Sequence, residues 1–203
     1  MRLGLGVVLA VLAVGGSPRM LASQSGGWGI GAELGLSRFW GGTRSIPPNP
    51  TPAVRPYRPT TFGLRVDRAL GRGRVGIGVQ YAESSLGAEG DEILTAVKGA
   101  VTWWQVTPEA AWRLATLGPV VQLRAFGGPT VDIWKSEGES ARTRIGGQVG
   151  LEMLVPLGRR IAGTLRARTG ISGSVFEQAD LPADVERRIM PAANVALGLR
   201  YGW

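Results

Sequence analysis

Hydrophobic and polar residues alternate one by one through most of the chain. Trp28, Ile30, Ala32, Leu34 and Leu36 interleave with Gly29, Gly31, Glu33, Gly35 and Ser37. Phe62, Leu64 and Val66 alternate with Gly63, Arg65 and Asp67, and Val75, Ile77, Val79 and Tyr81 with Gly76, Gly78, Gln80 and Ala82. Trp104, Val106, Ala110 and Trp112 are set against Gln105, Thr107, Glu109 and Arg113. Further on, Val121, Leu123, Ala125, Val131 and Ile133 oppose Gln122, Arg124, Thr130 and Asp132; Val149, Leu151 and Met153 oppose Gln148, Gly150 and Glu152. Ile161, Leu165, Ala167 and Ile171 oppose Thr164, Arg166, Arg168 and Ser172. Val195, Leu197, Leu199, Tyr201 and Trp203 oppose Asn194, Ala196, Gly198 and Arg200. Successive side chains of a strand point to opposite faces, so this period of two marks strands with one apolar face. Eight candidate strands result.

Two places strain the pattern. Pro108 and Pro129 fall inside strands and predict a bulge or a break, because proline donates no ladder hydrogen bond. Over residues 93–101 the alternation runs out of phase with Trp104, which predicts a bulge or a projecting strand end.

The connections alternate between long and short. Residues 41–59, 83–92, 135–143 and 173–186 are long links; 69–73, 115–118 and 156–160 are short. An even number of strands joined in this rhythm predicts an all-β fold: an eight-stranded antiparallel up-and-down barrel with all its long loops at one end.

The charges and the aromatics say which face turns inward. One face carries Glu33, Arg65, Asp67, Glu109, Arg113, Arg124, Glu152, Arg166, Arg168 and Arg200, too much charge for the apolar cavity of a soluble ligand-binding barrel. The other face ends in aromatics: Trp28, Trp112, Tyr201 and Trp203 toward one rim, and Trp40, Phe62, Tyr81, Trp104 and Trp134 toward the other. Two such girdles mark a transmembrane β-barrel whose apolar face meets lipid. The charged face then lines the lumen. Neighbouring strands predict the pairs Glu33–Arg65, Glu109–Arg124 and Glu152–Arg166, which would plug it with salt bridges. Inward glycines such as Gly29, Gly31, Gly76, Gly78 and Gly150 either leave room for passage or accommodate long arginine side chains.

The first residues fit neither face. Met1-Arg2 is a short positive start, Leu3 to Val14 an apolar run, and small residues follow at Ala22, Ser23 and Ser25. This is the layout of a cleaved signal peptide over residues 1–23, with a mature barrel domain over residues 26–203 beginning near Gln24 or Gly26. The run is too short for a membrane helix of about 20 residues.

Composition narrows the chemistry. The chain has 32 Gly, no Cys, no His and a net charge of +8, with Lys98 and Lys135 its only lysines. Absent Cys excludes disulfides and thiolate metal sites. Absent His removes the commonest general base and metal ligand. The positive balance fits anionic lipid, or arginine used inside the barrel. It predicts no nucleic-acid partner, because no basic cluster with interleaved aromatics is present. No cofactor or metal is expected.

The ending Gly198-Leu199-Arg200-Tyr201-Gly202-Trp203 resembles the C-terminal signal read by the barrel-assembly machinery, carried by Gly198, Tyr201 and Trp203. Two departures are Ala196 in place of a polar residue and a terminal Trp rather than Phe. With the signal peptide and the loop rhythm, the mature chain resembles the small OmpA/OmpX/OmpW-type outer-membrane barrels. That resemblance implies a bacterial outer-membrane protein with periplasmic termini, in contact with outer-membrane lipid, lipopolysaccharide and, during biogenesis, the assembly machinery. The expected role is non-enzymatic: a largely plugged barrel whose long loops serve structural, lipopolysaccharide or protein contact. The candidate contact residues are Arg44, Arg55 and Arg58 in the first loop and Glu89, Asp91 and Glu92 in the second. The alternative is a narrow channel or carrier for small apolar molecules. Barrel acyltransferases and deacylases rely on a Ser–His pair that this chain does not have.

Overall fold

A computed structural model describes residues 27–45, 53–89, 94–118, 120–136 and 140–203. The expected signal segment lies outside them, as do Asp91 and Glu92. The strands in chain order are β1 (Trp28–Phe39), β2 (Thr43–Ser45), β3 (Ala53–Tyr57), β4 (Thr60–Leu70), β5 (Gly73–Glu89) and β6 (Leu94–Leu117), followed by β7 (Val121–Ser136), β8 (Arg142–Pro156), β9 (Ile161–Ser172), β10 (Val185–Arg187) and β11 (Met190–Gly202). Eight of them, β1, β4, β5, β6, β7, β8, β9 and β11, form an antiparallel ring. β11 closes it on β1, in register from Gly29↔Gly202 to Phe39↔Ala192. Closure leaves no unpaired barrel edge.

The two ends differ as the connection lengths predict. At the turn end, β4 passes to β5 through Gly71, whose φ of +60° suits glycine, and β6 to β7 through Gly118, at +58°. At the loop end, the strands rise past the ring. The expected second loop is largely strand instead: β5 and β6 continue paired to Glu89↔Leu94, and β3 adds to the free side of β5 from Tyr57↔Ser85 to Ala53↔Glu89. The first and fourth long links meet in a two-stranded ribbon of β2 and β10.

The sites of strain are partly as expected. Between Ser84↔Val101 and Leu86↔Val97 the register shifts, which is the bulge signalled by the phase change before Trp104. Pro108 does not break β6, but no pairing with β7 is made between Val106↔Val131 and Ala110↔Gly127. A second shift lies between Arg113 and Ala115.

Burial is inverted relative to a water-soluble domain. Leu64 is 63% and Leu197 66% exposed, among a belt that includes Ile30, Leu34, Phe62, Ile77, Leu151 and Leu199. Arg65, Asp67, Glu109, Arg124, Glu152, Arg166, Arg168 and Arg200 are buried. Charged groups are almost never fully buried unless paired, so the lumen must account for its own charges.

Candidate functional site

The turn-side and middle lumen is a continuous ion-pair lattice. Glu152, 1% exposed on β8, accepts a 2.6 Å bond from Nη2 of Arg65 and lies 3.6 Å from Arg74 and 3.8 Å from Arg166. Glu109 on β6 lies 3.4 Å from Arg65 and 2.5 Å from Arg166. Glu33 on β1 takes Arg166 at 3.2 Å and Arg168 at 2.8 Å. Asp67 on β4 is gripped by Arg200 of β11, through Nη2 at 2.6 Å and Nε at 3.1 Å. Arg124 donates to Gln122 at 2.7 Å. The guanidinium of Arg166 also lies 3.8 Å from the centre of the Phe126 ring, a cation–π contact.

Glycines make this lattice fit. A Cβ on Gly29 would run into the Arg200 guanidinium, and one on Gly63 would stand 2.6 Å from Cγ of Glu33. Gly150 sits between Phe126 and Arg168, where a Cβ would be 2.6 Å from the phenyl ring. At Gly29 and Gly150 the inward space left by glycine is filled by arginine and phenylalanine.

The loop-side lumen has a different chemistry. Asp132 is buried and meets neutral donors: Trp103 Nε1 and Gln105 Nε2, each at 2.8 Å, and Thr130 Oγ1 at 3.1 Å. Asn194 bonds Ser37 and Thr61 with its amide nitrogen and accepts from Arg168 at 2.9 Å. Above these polar groups Phe39, Val101, Trp103, Trp134, Val175 and Met190 form an apolar cluster. Trp103 and Trp134 stack at 5.6 Å, and Phe39 meets both edge-on at 5.5 Å. Val175 belongs to the fourth loop, which is tied down by backbone and side chain. Arg142 donates to its carbonyl at 3.0 Å, Arg144 to that of Ser174 at 2.7 Å, and Ser174 Oγ to that of Gly42 at 2.8 Å.

The structure redistributes the expected partners. Glu152 does keep Arg166 near, but its shortest bond is to Arg65. Glu33 bonds Arg166 and Arg168 rather than Arg65, and Glu109 bonds Arg65 and Arg166 rather than Arg124. The reason is geometric: barrel strands tilt, and long arginines reach diagonally or across the lumen instead of to the level neighbour. Arg113 is half-buried beside its register shift.

Of the aromatics, Trp28, Phe62, Trp104, Trp112, Tyr201 and Trp203 are exposed on the outer face. Tyr81 is half-buried, in register between Phe62 and Trp104, with its ring 4.7 Å from that of Trp104. Trp40 lies just past β1, with Arg38 over its ring at 5.3 Å. Trp134 is a correction: it is 1% exposed and packs in the lumen, not on the outer rim. Gly198, Tyr201 and Trp203 lie at the turn-side end of β11 and just beyond it.

Four interior residues escaped the sequence reading: Arg74, Trp103, Phe126 and Asp132 as a hub. Each shares parity with an inward neighbour, Arg74 with Gly76, Trp103 with Gln105, Phe126 with Arg124 and Asp132 with Thr130, so the period of two carried the signal.

The ring of eight strands, its apolar outer belt and its charged interior define a class, the eight-stranded antiparallel transmembrane β-barrel. No protein-family profile and no curated protein matches the chain. Solved outer-membrane proteins are among the structures that share its fold. Neisserial surface protein A aligns over 86% of this chain and 96% of its own, with a TM-score of 0.58 and 9% identity. The outer membrane protein AlkL, determined in lipid bilayers, aligns over 89% and 91%, with a TM-score of 0.53 and 12% identity.

Proposed function

We propose that the chain is a non-enzymatic barrel of the bacterial outer membrane, closed along its axis, that works through its loop-end surface. The reading is supported by the ion pairs that occupy one half of the lumen and the apolar cluster that occupies the other. Two cavities inside it measure about 40 Å³, beside Asp132, and about 10 Å³, beside Arg74. Those volumes suit one or a few waters rather than a permeant molecule.

In this reading residues 1–23 direct export and are removed. The turn end and both termini face the periplasm, and Gly198, Tyr201 and Trp203 are read by the assembly machinery. The exposed aromatics form interfacial girdles. The loop end then presents the paired β3, β5 and β6 extension and the β2–β10 ribbon, the face that would meet lipopolysaccharide phosphates or a protein partner, with Arg44 and Arg58 exposed on it. No catalytic role is assigned, since the carboxylates of the lattice are tied to arginine and the base that would activate a serine is missing from the composition.

Recordings in planar bilayers test closure. The barrel is expected to be silent, with the Trp103→Ala/Trp134→Ala variant leakier. Discrete openings of the unaltered barrel would favour the narrow channel instead.

A further inference from the structure

Among the described residues, the acidic side chains outside the lumen all lie at one end, where cations such as Arg44, Arg58, Arg187 and Arg188 accompany them. Glu83, Glu177, Asp184 and Glu186 lie at this loop end. The turn end carries Arg68, Arg72, Arg113, Arg159 and Arg160, and no acidic side chain outside the lumen among the described residues. Even with a carboxylate counted on Trp203, cations prevail there.

These arginines converge on a built feature. A cleft of about 130 Å³ is lined by Trp28, Arg159, Arg160, Arg200 and Trp203, together with the glycines beside the two tryptophans. Its floor is the guanidinium of Arg200, 3% exposed, which spends Nε and Nη2 on Asp67. Nη1 lies beside Gly202, where a Cβ would stand 3.1 Å away, so glycine keeps that nitrogen approachable. The walls are fixed by backbone: Gly202 N–H donates to the Arg160 carbonyl at 2.8 Å and Trp203 N–H to that of Trp28 at 3.0 Å. Arg160 donates to the Tyr201 hydroxyl at 3.1 Å, and Arg159 meets no carboxylate among the described residues.

Depth identifies the occupant. Trp28, Tyr201 and Trp203 are exposed at this level, and such rings settle where headgroups begin. The planar donor fork of a guanidinium at that depth matches the two non-bridging oxygens of a phosphodiester. We propose that this cleft binds the phosphodiester of an anionic phospholipid in the periplasm-facing leaflet. The inference rests on the membrane placement proposed above.

The test is lipid selectivity at the surface of the full chain reconstituted in phosphatidylcholine bilayers, read from motionally restricted spin-labelled lipid. Spin-labelled phosphatidylglycerol is expected to be preferred over spin-labelled phosphatidylcholine by about fivefold, the scale of one arginine near a charged surface. Arg159→Gln/Arg160→Gln should abolish most of that preference and Arg159→Lys/Arg160→Lys should keep part of it. Arg187→Gln/Arg188→Gln, at the opposite end, should leave it intact. Equal selectivity in the unaltered protein and the Gln variant overturns the proposal, as does a preference that follows Arg187 and Arg188. Displacement by millimolar glycerol phosphate would show that the cleft takes a soluble anion instead of lipid. A protein that restricts no lipid of either kind would mean that the membrane placement itself fails.

Discussion

The two halves of the lumen solve one problem in opposite ways. Below, the barrel is filled by charge, with Arg65 and Arg166 each shared among several carboxylates. Above, it is filled by Phe39, Trp103, Trp134 and Met190, with Asp132 satisfied by neutral donors. Filling by charge gives a structure that tolerates no single deletion, because each removed partner strands a buried ion. Filling by aromatic packing gives one that degrades in proportion to the volume removed. The difference also follows position: the lower half is walled by the ring alone, whereas the upper half also receives the fourth loop, whose Val175 packs into the apolar cluster.

The sharpest way to break this comparison is at Glu152. Glu152→Ala leaves Arg65, Arg74 and Arg166 short of a partner and should destabilise the folded barrel by about 3–5 kcal/mol in urea titrations. Arg65→Met/Glu152→Leu should recover much of that loss, since apolar side chains of similar volume can replace a buried pair. A loss under about 1 kcal/mol for Glu152→Ala would show that water, not arginine, supports the lower half. Next in size, Trp103→Ala should cost about 3 kcal/mol, and Trp103→Phe about 1 kcal/mol for the lost bond to Asp132. Hydrogen exchange should then quicken across residues 173–189 while the β1–β11 pairing stays protected. Quickening of both would mean that the halves are one cooperative unit.

The smallest effect is one of pH, outside the barrel wall. The hydrogen bond from Arg144 to Glu177, at 2.6 Å, holds that carboxyl below the ordinary glutamate range. Its folded value is below its unfolded one, so the anchoring of the fourth loop is present at neutral pH and is lost as pH falls through the folded value. Limited proteolysis of that loop should increase in this acidic window and be insensitive to pH above it. Glu177→Gln should remove the dependence.

Alternation made the ring legible because each strand separates lipid from lumen, and one face reports on both. Trp134 shows the same rule and how it is missed: it has the parity of Asp132 and Thr130, which point inward, while its chemistry suggests a rim. Arg74 was hidden by its place between the short link 69–73 and the alternation that begins at Val75. Ion-pair partners were the least legible, because tilt and side-chain reach across the lumen do not appear in any one strand. Nor did the sequence pattern reveal β3, whose residues 53–57 include a proline and pair only beside the extended β5.

The seam where β11 meets β1 is bridged three times from within, by Arg200 to Asp67 and by Arg166 and Arg168 to Glu33. Alternation alone would let the last strand close one notch out: a slip of two residues keeps every apolar side chain outward. Such a slip moves facing groups by about 7 Å along the strand, more than twice the length of any of these bonds. The interior thus acts as a gauge of correct closure, so that a barrel sealed in the wrong register would carry stranded charge at its centre and remain easy to reopen.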